Sequence, residues 1–151
     1  MEAEFEALKH LLDDSGVKYS VLTHEKVFTS EEAAQTRGVP LSSGVKAMVV
    51  KTKIGFLMVL VPGDRKLDFR KLGKTRLASV DDVLRITGCE PGSVHPFGLL
   101  FGLRVFMDRR ILDNATVNFN AGMHEISINM NPKDMIEIIK PVIGDYSVPK
   151  L

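Results

Sequence analysis

Few side chains in this sequence have the chemistry to act on a substrate, and their spacing narrows what that chemistry is. The four histidines are His10, His24, His95 and His124. No two have the spacing of a metal-binding helix, and no H-E-x-x-H occurs. His10 falls near the end of a predicted helix, where a cation suits the dipole, so its role reads as structural. His24 falls in a loop between a predicted strand and helix. His95 and His124 lie in glycine-containing loops, where functional side chains gather. Ser93 stands in "EPGSVHP", which does not match the G-x-S-x-G nucleophile elbow. Cys89 is the one cysteine, with no base beside it to lower its pKa. A single thiol makes no intramolecular disulfide and no cysteine-based metal site. Lys46 ends the loop "PLSSGVK" and directly precedes the apolar stretch "AMVV". A lysine at the mouth of a buried strand is held by rigid backbone and can meet an anion. The commoner reading of that pattern is a lysine that snorkels to water.

The elements that position these residues follow from periodicity and caps. Phe5, Leu8 and Leu12 recur at helical spacing, so residues 2 to 13 are predicted helical, with Gly16 as the breaker. "VKYSVL" is a strand candidate. "TSEEAAQTRG" opens with a capping box, Thr29 with Glu32, and Gly38 closes that helix. "KAMVVKT" and "GFLMVLV" are nearly continuous apolar strands and predict a hairpin covered on both faces. "LDFRKLG" reads as a short helix or turn. "SVDDVLRITG" is a helix between the Ser79 cap and Gly88. "LRVFMD" and "VNFN" are strands. In "EISINM", Ile126, Ile128 and Met130 alternate with Ser127 and Asn129, which predicts a half-buried strand. "NPKDMIEIIKP" is a helix with Asn131 as cap and Pro132 in its first turn. Strands and helices mix without βαβ alternation. The expected fold is therefore α+β: a single domain over residues 1–151, with a mixed, mostly antiparallel β-sheet and helices packed around it.

Composition excludes several classes. The 151 residues, 44 % hydrophobic and 26 % charged, suit one globular domain with a real core. The longest apolar run, Phe56 to Val61, is far short of the about 20 residues a membrane helix needs. The acidic, amphipathic start is unlike a secretory signal, so the expected location is cytoplasmic, with no membrane partner. The net charge of +1 carries no global nucleic-acid signal. Locally, Arg65, Lys66, Arg70, Lys71, Lys74 and Arg76 cluster against Asp64 and Asp68. Such a run is usually solvated surface, and otherwise a patch for phosphates.

Five stretches, taken together and in order, carry a resemblance. They are "GVKAMVVKT", "KLGKTRLAS", "GCEPGSVHPFGLL", "VFMDRRIL" and "NFNAGMHEISINM" followed by "KDM". The chain resembles the superfamily of YbaK and the prolyl-tRNA synthetase insertion domain, which are aminoacyl-tRNA deacylases. The resemblance runs from about His24 to Ile139. It implies a functional lysine at Lys46 and a G-x-x-x-P loop at Gly92, Ser93, Val94, His95 and Pro96. It also implies a pocket lined by Asn120, Ala121, Gly122, Met123 and His124, with Thr29 added to the substrate-binding set. The departure is His95, where many relatives have a small hydroxyl residue. The implied activity is trans-editing: hydrolysis of the ester of a mischarged tRNA bearing a small amino acid (alanine, serine or cysteine), for example on tRNA-Pro. It would proceed without metal or cofactor, by positioning and with help from the substrate's own ribose hydroxyl. The implied partner is the 3′ acceptor end of an aminoacyl-tRNA, with transient contact to a synthetase. The basic residues Arg65 to Arg76 would meet the acceptor backbone. A non-catalytic tRNA- or nucleotide-binding module on the same fold is the alternative, and a small-molecule or partner-binding protein unrelated to RNA is a further rival.

Overall fold

A computed structural model of the chain describes residues 2–150, so residues 1 and 151 of the predicted domain lie outside the described residues. Helix α1 (Glu2–Asp14) has Glu2 and Glu4 in its first turn and buries Leu8 and Leu12. Strand β1 (Tyr19–Thr23) leads to helix α2 (Ser30–Arg37). The predicted capping box is present: Thr29 Oγ1 accepts from the Glu32 N–H at 3.1 Å, and the Thr29 N–H donates to Glu32 Oε1 at 3.2 Å. Strands β2 (Val45–Thr52) and β3 (Gly55–Pro62) form the predicted hairpin, in register from Val45 opposite Pro62 to Thr52 opposite Gly55. Next come β4 (Arg65–Leu67), α3 (Phe69–Leu72), β5 (Arg76–Leu77) and α4 (Val80–Thr87). Ser79 caps α4, and Gly88 closes it in the left-handed region. After a long loop follow β6 (Val105–Asp108), β7 (Val117–Asn120), β8 (Ile126–Met130), α5 (Pro132–Ile139), β9 (Val142–Gly144) and β10 (Ser147–Pro149).

The strands make a five-stranded sheet in the order β5-β2-β3-β6-β9, a three-stranded sheet β1-β8-β7 and a two-stranded ribbon β10-β4. Only the β3–β6 and β6–β9 pairs are parallel, so the α+β, mostly antiparallel expectation is met. An isolated parallel bridge, Gly44 to Asn118, joins the two larger sheets just ahead of β2. The period of a strand divides the β2–β3 hairpin between two cores. Val45, Val49, Met58 and Leu60 face the main core with Leu8, Phe97, Met107, Phe119 and Met135. Val50, Val59 and Val61 face a smaller cluster with Leu67. That is why the hairpin reads as nearly continuous apolar sequence. Coverage is less complete than predicted on β2, where Lys46 to Met48 are only half-buried because they border a cleft.

Two local readings change. Strand β8 does bury Ile128 and Met130, but Ser127 on the opposite face is buried too. Its hydroxyl sits among polar partners rather than in water. The short strands β4, β5, β9 and β10 were not predicted. Each is two or three residues long and depends on a partner distant in sequence, as β9 does on β6 and β10 on β4. Asp108 holds the C-terminal segment in place: its Oδ2 accepts from the Tyr146 N–H and from Ser147 Oγ, both at 2.8 Å.

Candidate functional site

A cleft of about 130 Å³ opens where α2, the start of β2, the Gly92 loop and the end of β7 meet. Ser30, Ala33, Ala34 and Arg37 line it from α2, at the i, i+3, i+4, i+7 spacing of one helix face. The two alanines keep that wall low. Val45 to Met48 form the floor, and Gly92, Val94 and Asn120 the far wall. Phe28 stands at the mouth, 64 % exposed. Its ring lies 4.6 Å from that of His124.

Lys46 reaches the cleft, and its Nζ donates to the carbonyl of Arg65. Burial is the main reason its pKa is lowered to about 8; the positive charge of Lys150 adds to this, and Glu31 and Asp64 oppose it. Lys150 itself is held by Glu31 Oε1 at 2.9 Å and the Gly63 carbonyl at 2.7 Å. Lys150, just past β10, thus helps set the charge of the cleft, which nothing in the local sequence around Lys46 announces.

The Gly92–Pro96 loop is divided between the cleft and the core. Gly92 adopts φ +88°, a conformation that favours glycine, and its carbonyl accepts from Asn120 Nδ2 at 2.6 Å. The Ser93 N–H and Oγ both bond the Glu90 carbonyl, at 3.0 and 2.8 Å. The Ser93 carbonyl accepts from the Gly122 N–H at 2.9 Å. By contrast, the N–H groups of Gly92 and Val94 find no acceptor among the described residues, and both residues line the cleft. Pro96 has no N–H to offer.

Several predicted site residues fall elsewhere. Ser93 is fully buried with its hydroxyl engaged, so it is a loop staple and not an exposed nucleophile. His95 is fully buried on the side away from the cleft, its ring 4.5 Å from Phe101, and it borders a hollow beneath α1. Its Nδ1 accepts the Phe97 N–H at 3.2 Å, while Nε2 has no partner. Burial pushes its pKa down to about 3, so the ring is neutral. His124 stacks behind Gly92, with Nδ1 3.1 Å from the Val27 carbonyl. Ala121 and Gly122 are buried behind the loop and support it. Thr29 borders the cleft, but its hydroxyl is committed to capping α2.

The basic run is not one patch. Arg65 is tied to Ser147 through Nε and Nη2 at 2.7 and 3.1 Å. Lys66, Arg70, Lys71, Lys74 and Arg76 are exposed. Arg76 pairs with Lys51 and Lys74 borders a depression at Thr52, which a strand rise of about 3.4 Å per residue puts roughly 20 Å from Lys46.

Sequence reasoning passed over Arg37. Its Nε donates to Ser127 Oγ at 2.8 Å and its Nη2 to Asn120 Oδ1 at 3.2 Å. Ser127 also meets His24 Nε2 at 2.7 Å. Burial lowers the Arg37 pKa to about 10. An arginine in the last turn of a helix reads as a dipole charge. Only its place in the i, i+3, i+4, i+7 series with two alanines hinted at an inward face.

An α+β domain whose sheet edge, helix face and glycine loop enclose a small cationic cleft defines a site for an anionic or carbonyl-bearing ligand. Residues 24–138 match the family model of the aminoacyl-tRNA editing domain, and the chain belongs to that family. It is 29 % identical over 147 residues to the multifunctional Ser/Thr-tRNA deacylase ProXp-y of Escherichia coli K12, covering 90 % of this chain and 88 % of that one. It is 36 % identical over 110 residues to the proline–tRNA ligase of Xanthomonas axonopodis pv. citri, a match to 67 % of this chain and 20 % of the ligase. A crystal structure described as a candidate trans-editing enzyme for prolyl-tRNA synthetase superposes with a TM-score of 0.83 at 25 % identity, covering 96 % of this chain and 97 % of the other. The family expected from the five motifs is the family found. Among the described residues, no helix is long and apolar enough to cross a membrane.

Proposed function

We propose that the protein is a trans-acting aminoacyl-tRNA deacylase that hydrolyses the ester between a small amino acid and the terminal ribose of a tRNA. One observation carries this reading: the fold gathers Lys46, Gly92, Val94 and Asn120, which are far apart in sequence, around one cleft. The Gly92 and Val94 N–H groups face the ester carbonyl oxygen, where negative charge develops as water adds to the carbonyl carbon. Fixed donors of this kind are worth about 3 kcal/mol each in a transition state. The carbon–oxygen bond to the ribose then breaks, and the ribose oxygen takes a proton. The neighbouring ribose hydroxyl orients the attacking water. Lys46 holds the ester end in place, and Asn120 holds the loop through the Gly92 carbonyl.

The cleft is small, about 130 Å³, and Ala33 and Ala34 line its helical wall. That lining suits small side chains of the alanine, serine, cysteine or threonine size. The Ser/Thr specificity in the name of the Escherichia coli relative agrees with that size range. No metal or cofactor enters the proposed steps; among the described residues no three His, Cys, Asp or Glu side chains gather as ligands. The exposed cations Lys66 to Arg76 would meet more distant tRNA phosphates, and transient contact with a synthetase would deliver the substrate. The test is a deacylation screen over tRNAs charged with alanine, serine, cysteine, threonine and phenylalanine. Faster release of one or more small amino acids than in buffer, with phenylalanine retained, is expected. Release of none sinks the proposal.

A further inference from the structure

The charge of the cleft is one-sided. Its lining holds two cations, Arg37 and Lys46, and no Asp or Glu. The two cations are not equivalent. Lys46 already donates to the Arg65 carbonyl and feels the carboxylates of Glu31 and Asp64. Arg37 has no carboxylate partner among the described residues. Its hydrogen bonds go to neutral oxygens, those of Ser127 and Asn120. These fix the plane of the guanidinium and leave Nη1 without an acceptor among the described residues. Nη1 points toward the start of β2, 3.9 Å from where a Cβ on Gly44 would stand. A half-buried guanidinium has lost hydration, and here no acid replaces it. A planar fork held in this way suits an oxyanion that takes two of its N–H groups.

We infer that Arg37 is the anion-binding residue of this cleft, and that its ligand is the phosphodiester joining the terminal nucleoside to the rest of the acceptor end. This rests on the deacylase reading for the identity of the substrate. The chemistry of that substrate leaves little choice. Its amino group is a cation or neutral, and its ester and ribose are neutral. The phosphodiester is the one anion near the scissile bond. Arg37 then anchors the nucleotide while its bond to Asn120 ties the anchor to the Gly92 carbonyl, so that phosphate and ester are held by one connected frame.

The experiment compares hydrolysis of two small esters, 3′-seryl adenosine 5′-monophosphate and 3′-seryl adenosine, by wild type, Arg37→Met, Arg37→Lys and Lys46→Met. Wild type should favour the phosphorylated ester by about tenfold or more in kcat/KM, the usual size of a charge-assisted hydrogen bond. Arg37→Met should bring that ratio close to one, and Arg37→Lys should restore part of it. Lys46→Met should slow both esters and keep the ratio. A wild-type ratio near one overturns the inference without any variant, which covers the case in which Arg37→Met does not fold. A ratio kept in Arg37→Met, or lost only in Lys46→Met, also overturns it. In parallel, calorimetry measures binding of adenosine 5′-monophosphate and adenosine to the same proteins. If no ester is hydrolysed but the monophosphate binds more tightly than adenosine, and Arg37→Met removes the difference, the deacylase reading falls and the anion site stands. If esters are hydrolysed with no preference, the anion site falls and the deacylase reading stands.

Discussion

Replacing Gly92 with alanine separates what the loop does for folding from what it does for catalysis. Gly92 sits at φ +88°, where an L-residue is strained by about 1–2 kcal/mol. Space is not the obstacle. A Cβ there would meet His124 Cε1 at 3.6 Å and the Phe28 carbonyl at 3.9 Å, both ordinary contacts. Gly98 is the contrast, since a Cβ there would stand 2.5 Å from Val105 Cγ2. Gly92→Ala is therefore expected to fold, with a Tm lowered by about 2–8 °C for a domain of this size. Rotating the backbone relieves the strain, and in the proposed mechanism that moves the Gly92 N–H off the ester oxygen. Loss of one such donor slows turnover by about 100-fold or more. Gly16→Ala is the control: φ is +69°, nothing lies within 4 Å, and the residue is outside the cleft. It should show a similar Tm loss with unchanged deacylation. The assay is single-turnover deacylation of seryl-tRNA at a temperature well below every Tm. If Gly92→Ala loses stability but keeps activity within about threefold of wild type, the loop backbone is not in the transition state.

Other expectations rest on the pKa shifts and on burial. Lys46 titrates near pH 8 in the folded protein, against 10.5 ordinarily. Activity relative to the buffer rate should therefore fall as pH rises through about 8, and a flat profile between about pH 7 and 9 would remove its charge from the mechanism. The sign for stability is opposite. Between about 8 and 10.5 the unfolded chain holds the proton that the folded one has released, so this residue's contribution to stability increases with pH in that window, as urea titrations of wild type and Lys46→Met compare. His95→Ala should cost about 2–5 kcal/mol as a core truncation while leaving deacylation within about threefold. A large loss of activity without a fall in Tm would return His95 to the site.

The sequence was legible where structure is local. The Thr29–Glu32 box, the Ser79 and Gly88 caps and the Asn131–Pro132 start each satisfy backbone groups within a few residues, and all are present. The β2–β3 hairpin was legible because its apolar residues come from two cores rather than one. Strands β9 and β10 were not, since they exist only through β6 and β4. Side-chain direction was the harder matter. His95 and Arg37 are the two clearest cases. A histidine between glycines and prolines reads as exposed, yet Phe97 and Phe101 close over it. An arginine at a helix end reads as solvated, yet Ser127 and Asn120, some 80 to 90 residues away in the chain, draw it inward. Lys46 and Gly92 were found through the motifs of the family, not through periodicity.

The central claim is that this cleft hydrolyses an aminoacyl ester with Lys46 in contact with the substrate. Its most direct test is the single-turnover release of serine from seryl-tRNA by wild type and Lys46→Ala, beside buffer alone. The account predicts release by wild type well above the buffer rate, and a Lys46→Ala rate at least about tenfold lower at unchanged fold. Equal rates for the two proteins, or a wild-type rate no faster than buffer, would contradict it.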